Sequence, residues 1–241
     1  MEKNDFLEAL EREGAAFAES CERAGGSTRV PSCPEWSVND LVWHTAEVHH
    51  FWRTVVRERL ADPAGYVDVE RPADGDLVPF FRIGLDDTVA VLSAADPAQP
   101  NWTWATDHSA GFVQRRMAQE TAVHRYDADL AAGRPTPIDA ALAGDGIDEF
   151  LHWHLGPSRN DAPKANGSVH LHCTDVAGEW TVREVDGVHS VTREHAKGDC
   201  ALRGAASDLL LVLWRRLPLS AADVVGDADV AARFVAYTSL D

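Results

Sequence analysis

The chain has 241 residues and a mass of 26.3 kDa, with 45% hydrophobic and 25% charged residues, the composition of a folded protein of one large domain or two ordinary ones. Its 22 Lys and Arg stand against 39 Asp and Glu, a formal net charge of −17 that repels nucleic-acid backbones, anionic membrane surfaces and large acidic substrates. A small anionic ligand stays compatible, because a few arginines in a pocket act locally where the global field is screened within about 8 Å.

The amino-terminal stretch MEKNDFLEALEREG is polar and helical in pattern, unlike a secretory leader, and no apolar run approaches the roughly 18 residues of a membrane span. The four cysteines, Cys21, Cys33, Cys173 and Cys200, form no Cys-x-x-Cys pair. The expectation is a reduced, cytoplasmic protein without a membrane partner, either a monomer or a small homo-oligomer.

In chain order, Phe6, Leu7, Leu10, Ala15, Phe17 and Ala18 recur at helical spacing and predict a first amphipathic helix over residues 5–23, stopped by Gly25 and Gly26. Pro31 and Pro34 mark a turn. Ser37 then has N-cap chemistry, with Asp40 three residues on, and opens a second helix running to about residue 60. A third helix is predicted over about 77–94 and a fourth over 111–132, the latter free of internal Gly and Pro and stopped by Gly133 and Pro135. A fifth, over about 138–155, closes an antiparallel helical bundle.

Residues 156–167, with Pro157 and Pro163, read as a linker, and beyond them the apolar period changes from 3.6 to 2. Residues 168–173, 179–183 and 188–192 alternate as strands of a short antiparallel meander, with Asp186-Gly187 as one turn; 199–203 reads as one more strand. Helices over 205–216 and 227–238 complete the chain. The fold class is α+β, with an all-α domain over residues 1–157 and a small α+β domain over 166–241.

The chemistry-bearing pattern lies in the fourth helix. Glu120 and His124 stand four apart and share one helix face, so a carboxylate oxygen and an imidazole nitrogen can hold one metal ion between them. His44, set among apolar residues predicted to face the bundle interior, offers a third ligand from the second helix. On spacing alone such residues are more often a solvated Glu–His pair and a satisfied core histidine than metal ligands.

Val30-Pro31-Ser32-Cys33-Pro34-x-Trp36-Ser37-Val38-x-Asp40-Leu41-Val42-x-His44 and Gly111-Phe112-Val113-x-Arg115-Arg116-Met117-Ala118-x-Glu120-Thr121-Ala122-Val123-His124-Arg125-x-Asp127 resemble the actinobacterial mycothiol-dependent maleylpyruvate isomerase family. The stretch 204–211 with Trp214 and Arg216 is also similar, so the resemblance extends over essentially the whole chain. It implies a DinB-like four-helix metal domain followed by a sterol-carrier-like α+β domain. It also implies a divalent metal, most often Zn2+, on His44, Glu120 and His124, and mycothiol as the thiol cofactor or cosubstrate. Glu35 replaces the family's usual small residue, and Gln119 stands where a histidine is frequent; neither is a ligand, but Gln119 bears on substrate identity.

The chemistry implied is activation of the mycothiol thiol toward a small electrophile. In an isomerase the thiolate adds to a cis double bond, the bond rotates, and elimination gives the trans product. In an S-transferase the sulfur stays attached. Two further residues carry catalytic expectations: Arg216, reaching a substrate carboxylate across the domain interface or complementing its own helix C-terminus, and His49, contacting substrate, supporting the metal ligands or lying as a polar residue on the helix surface. Asp127 either orients His124 or lies on the surface; Trp102 and Trp104 are read as core, and the cysteines as bystanders. Two other function classes share the ligand set: a non-haem iron enzyme that does not use mycothiol, and a ligand carrier whose metal is purely structural. The latter needs a fourth protein ligand, for which His49 and Asp127 are the candidates.

Overall fold

The computed structural model describes residues 1–155, 166–185 and 188–237. It divides into two compact units, Met1–Thr136 and Pro137–Asp241. The architecture is α+β, four long helices dominating the first unit and a mixed sheet with helices making the second. Most of the predicted linker and the Asp186-Gly187 turn lie outside the described residues.

The first unit is a four-helix bundle of α1 (Lys3–Ala24), α2 (Val38–Glu58), α3 (Leu77–Ala94) and α4 (Ala110–Ala131). α4 packs mainly on α1 and also on α2, and α3 packs on both α1 and α2, so sequence neighbours α1 and α2 stand on a diagonal of the bundle. The connection between them is long enough for that crossing. It carries a small antiparallel pair, β1 (Arg29–Val30) and β2 (Cys33–Ser37), where the sequence pattern predicts only a turn.

The start of α2 follows its sequence signature. Ser37 Oγ accepts from the Asp40 amide at 3.3 Å, and the Asp40 carboxylate accepts from the Ser37 amide at 2.9 Å, closing a capping box. Phe17, Leu10, Leu41, Phe81, Leu92 and Met117 are fully buried side chains of the core. Gly14 permits the α1–α3 approach, since a Cβ there would stand 2.5 Å from the Leu85 side chain.

In α4 nearly every face is buried, polar residues included: Gln114, Arg116, Gln119, Thr121, His124, Arg125, Asp127 and Asp129 are all under 9% exposed. Burying so many polar groups is tolerable only where each meets a partner. Gln114 Nε2 donates to the Leu92 carbonyl at 2.9 Å, and Arg125 is ion-paired with Glu13 and Asp129 at 2.8 and 2.9 Å.

The second unit opens with α5 (Ala140–Trp153), capped by the Asp139 carboxylate. α5 packs on α6 (Ala206–Leu213), so it belongs to the second unit where the sequence pattern predicts a closing helix of the bundle. The division accordingly falls at Thr136/Pro137, ahead of the predicted linker. An amphipathic stripe tells that a helix is covered, not by which partner.

The sheet has the order β5-β4-β3-β6-β7, with β3 (Gly167–Cys173), β4 (Glu179–Val185), β5 (Val188–Thr192), β6 (Cys200–Gly204) and β7 (Asp223–Gly226). β3, β4 and β5 form the predicted antiparallel meander; β6 runs parallel to β3, and β7 is an added edge strand. One face, with Val169, Leu171, Trp180, Val182, Cys200 and Leu202, is buried, and α6 and α7 (Ala228–Tyr237) pack on β3 and β6. α6 ends at Leu213, three residues before the predicted stop, because Arg215 turns into the left-handed region (φ 56°) and the Arg216 amide bonds back to the Leu211 carbonyl at 2.8 Å. A non-glycine residue in that position gives no sequence signal.

Candidate metal centre

α2 and α4 bring His44, Glu120 and His124 together, with one donor atom from each within 4.8 Å of the other two. Glu120 Oε1 lies 3.1 Å from His124 Nε2 and 3.5 Å from His44 Nε2. Its other oxygen, Oε2, is held by the Arg116 guanidinium one turn earlier. The carboxylate is thereby fixed with one oxygen facing both imidazoles.

His124 is fixed just as firmly. Its Nδ1 lies 2.9 Å from Asp127 Oδ2, and Asp127 Oδ1 accepts from Ser32 Oγ at 2.6 Å. An ionised Asp127 accepts only, so His124 carries its proton on Nδ1 and, in the neutral ring, presents a lone pair at Nε2 toward Glu120. Asp127 is fully buried, which decides between its two sequence readings: it orients His124. The Ser32 contact explains the Pro-rich turn, which delivers a hydroxyl from between β1 and β2. Trp36 of the same segment lies over the ligands, its ring centroid 4.8 Å from that of His44 and 6.5 Å from that of His124.

Exposure grades across the three ligands, from 9% for the His124 side chain through 17% for Glu120 to 35% for His44. His44 therefore stands at the rim rather than in the bundle interior, and the centre opens on its side. Electrostatics are strongly coupled. Burial disfavours an ionised Glu120, yet the Arg116 and His124 cations outweigh it and hold the carboxyl well below its ordinary value. Burial likewise opposes a charged His124, but Glu120 and the Asp127 hydrogen bond push it up to about 9.

His49 is brought close to this cluster without joining it. It is fully buried, its Nε2–H donates to Thr121 Oγ1 at 2.8 Å, Thr121 Oγ1 in turn donating to the Met117 carbonyl, and its ring packs on Phe81. Burial lowers its pKa to about 3, so it is neutral. Arg216 lies in the second unit, where its Nη1 donates to the Trp214 carbonyl at 3.0 Å, past the end of α6. Trp102 stacks on Trp52 with ring centroids 5.9 Å apart, while Trp104 is 46% exposed. The cysteines form no disulfide, and burial raises Cys173 and Cys200 to about 11, an inert range.

Residues 7–129 match the family model described as the mycothiol maleylpyruvate isomerase N-terminal domain. The chain belongs to that family. No curated protein and no solved structure matches it. The stretch matched to the mycothiol maleylpyruvate isomerase domain contains all three clustered residues, Asp127 and the Ser32–Trp36 turn, and ends within α4; the second unit lies outside it. Among the described residues, no helix is long and apolar enough to cross a membrane.

Asp127→Asn tests the support given to His124. An amide in place of the carboxylate loses the charge that favours the Nδ1–H tautomer, and zinc affinity at this centre is expected to fall about 10–100-fold, measured by competition with a chromophoric chelator.

Proposed function

We propose that the protein is a divalent-metal-dependent enzyme that activates the thiol of mycothiol for attack on a small electrophile, as a maleylpyruvate-type cis–trans isomerase or a mycothiol S-transferase. The observation that carries this reading is the convergence of two imidazole nitrogens and one carboxylate oxygen on one point, with the two other candidate ligands engaged elsewhere: Asp127 on His124 Nδ1 and His49 on Thr121. A structural zinc is normally closed by four protein ligands, whereas three leave a coordination position for a substrate or thiol. The donor set suits zinc, and Asp127 and Arg116 orient two of the three donors.

Bound by His44, Glu120 and His124, a zinc dication would retain net positive charge and hold a thiol as thiolate near neutral pH. The chain's own residues prepare for this. Once His124 is neutral, Asp127 keeps its proton on Nδ1 and leaves the Nε2 lone pair for a ligand bond. Arg116 anchors Glu120 Oε2 and leaves Oε1 as a single ligand atom. Trp36 shields His44 and His124 from solvent on one side.

The raised His124 makes binding of metal proton-linked. With a folded pKa of about 9 against an ordinary 6.5, the imidazolium stabilises the metal-free fold in full below pH 6.5, and this contribution is lost as pH rises through 9. Metal requires the neutral ring, so loading at pH 7 displaces the His124 proton. Apparent zinc affinity is expected to rise about tenfold per pH unit from this site up to about pH 9 and then level off, with proton release visible as buffer-dependent binding enthalpy.

The functional test is turnover by the zinc-loaded full chain of a cis-enediacid of maleylpyruvate type, alongside S-conjugation of simple electrophiles. Either product should form only with added mycothiol and should be lost in Glu120→Gln. Mycothiol-independent turnover, or neither product with the loaded protein, would overturn the reading.

A further inference from the structure

The second unit carries another convergence of ligand-type side chains. His170 and His172 alternate on the same face of β3, the face opposite to Val169 and Leu171, and the register sets Glu179 of β4 directly across from His172. The segment after β5 then crosses this face. The Glu194 carbonyl accepts from Thr181 Oγ1 at 3.2 Å, and the Asp199 carboxylate accepts from the Ser168 amide and hydroxyl at 2.8 Å. Gly198 lets the segment lie close, since a Cβ there would stand 2.7 Å from the Cys200 carbonyl oxygen and 2.8 Å from that of Ser168. The crossing lowers His195 onto the two strand histidines, with ring centroids 4.9 Å from His170 and 6.4 Å from His172.

From this geometry we infer that His170, His172, Glu179 and His195 form a second metal site, selective for a divalent first-row ion of zinc type. One donor atom from each of the four lies within 4.8 Å of all the others. Tetrahedral ligands at about 2.1 Å from zinc stand about 3.4 Å apart, so closing the site asks for side-chain rotation only. Glu179 already gathers two of the imidazoles, its Oε1 being 2.5 Å from His172 Nδ1 and its Oε2 3.0 Å from His195 Nδ1. His170 supplies the independent observation: its side chain is buried, and its Nε2 has no hydrogen-bond partner among the described residues. A buried imidazole nitrogen left bare costs free energy, and a metal bond at this ring offsets it.

The donor set decides the ion class. Three imidazoles and one carboxylate favour zinc and its nitrogen-seeking neighbours over calcium or magnesium, which prefer oxygen. His172, Glu179 and His195 also line a cavity of about 560 Å³, together with Cys173, Trp180 and Arg193, so an ion has an entry path from solvent. Nothing in this site depends on the helical centre or on its proposed chemistry.

The test is metal stoichiometry of the tag-free full chain, dialysed against Zn2+ or Co2+ at low free-metal concentration. Two equivalents are expected in the unmodified protein and one in His44→Ala/His124→Ala, in which only the sheet site remains. Adding His195→Ala, a change in an exposed segment, should weaken that remaining equivalent at least 100-fold; His172→Ala should do the same. A single equivalent in the unmodified protein that His44→Ala/His124→Ala abolishes, or a second equivalent that neither His195→Ala nor His172→Ala weakens, would overturn the sheet site while leaving the helical centre standing.

Discussion

Replacing His124 with alanine is expected to lower zinc affinity at the helical centre by at least about 100-fold and to remove mycothiol-dependent turnover with it. The magnitude follows from its place in the cluster. Loss of an outer partner such as Asp127 costs about 10–100-fold, and loss of a ligand that is itself positioned by that partner costs more. His44 and Glu120 alone would offer one rim imidazole and one carboxylate oxygen, a weak site for a borderline-soft ion. The same substitution takes away the imidazolium beside Glu120, but Arg116 still holds Oε2, so the bundle is expected to remain folded. Circular dichroism checks the fold, and chelator competition reads the affinity. Retained tight binding with His124 absent would show that the ion, if any, is held elsewhere.

The largest stability effect is expected one residue further along α4. Arg125 is ion-paired with Glu13 of α1 at 2.8 Å and Asp129 at 2.9 Å, all three side chains being at most 7% exposed, and it also donates to Thr136 Oγ1 at 2.6 Å. Arg125→Ala leaves two buried carboxylates without this shared guanidinium. Removing one partner of a buried charge network costs about 3–5 kcal/mol, because the remaining charges stay desolvated. For a chain of this size about 2–4 °C is lost per kcal/mol, so the unfolding midpoint of the first unit should fall by about 10 °C. Arg125→Lys should recover little of it, since an ammonium cannot present the planar fork to Glu13, Asp129 and Thr136 at once. A shift under about 2 °C for Arg125→Ala would contradict the account of the α1–α4 interface.

What the sequence made legible here was whatever local geometry dictates. The four-residue spacing of Glu120 and His124 puts both side chains on one helix face, and Ser37 with Asp40 marks the start of α2 through a bond pattern closed within four residues. The period change after the helical stretch correctly separates the β3–β5 meander from the helices. What escaped depends on distant partners. His44 stands 35% exposed at the rim, with Trp36 of β2 over one side of it, and nothing in α2's own pattern says so. Asp127 lies three residues from His124 on either reading; the hydroxyl bound to its other oxygen comes from Ser32, 95 residues earlier. α5 has the stripe of a bundle helix, yet its cover is α6. The sheet histidines show the same limit. His170 and His172 sit two apart on a strand, a visible pattern, but His195 joins them only through the path taken after β5.

In the proposed function a metal on His44, Glu120 and His124 holds the mycothiol thiol as thiolate. Calorimetric titration of mycothiol into the zinc-loaded protein tests it most directly, run at pH 7 in buffers of different ionisation enthalpy. Binding is expected to release about one proton per thiol, with at least a tenfold loss of affinity both in His124→Ala and in the metal-stripped protein. Equal mycothiol affinity in loaded, stripped and His124→Ala protein, without proton release, would contradict it.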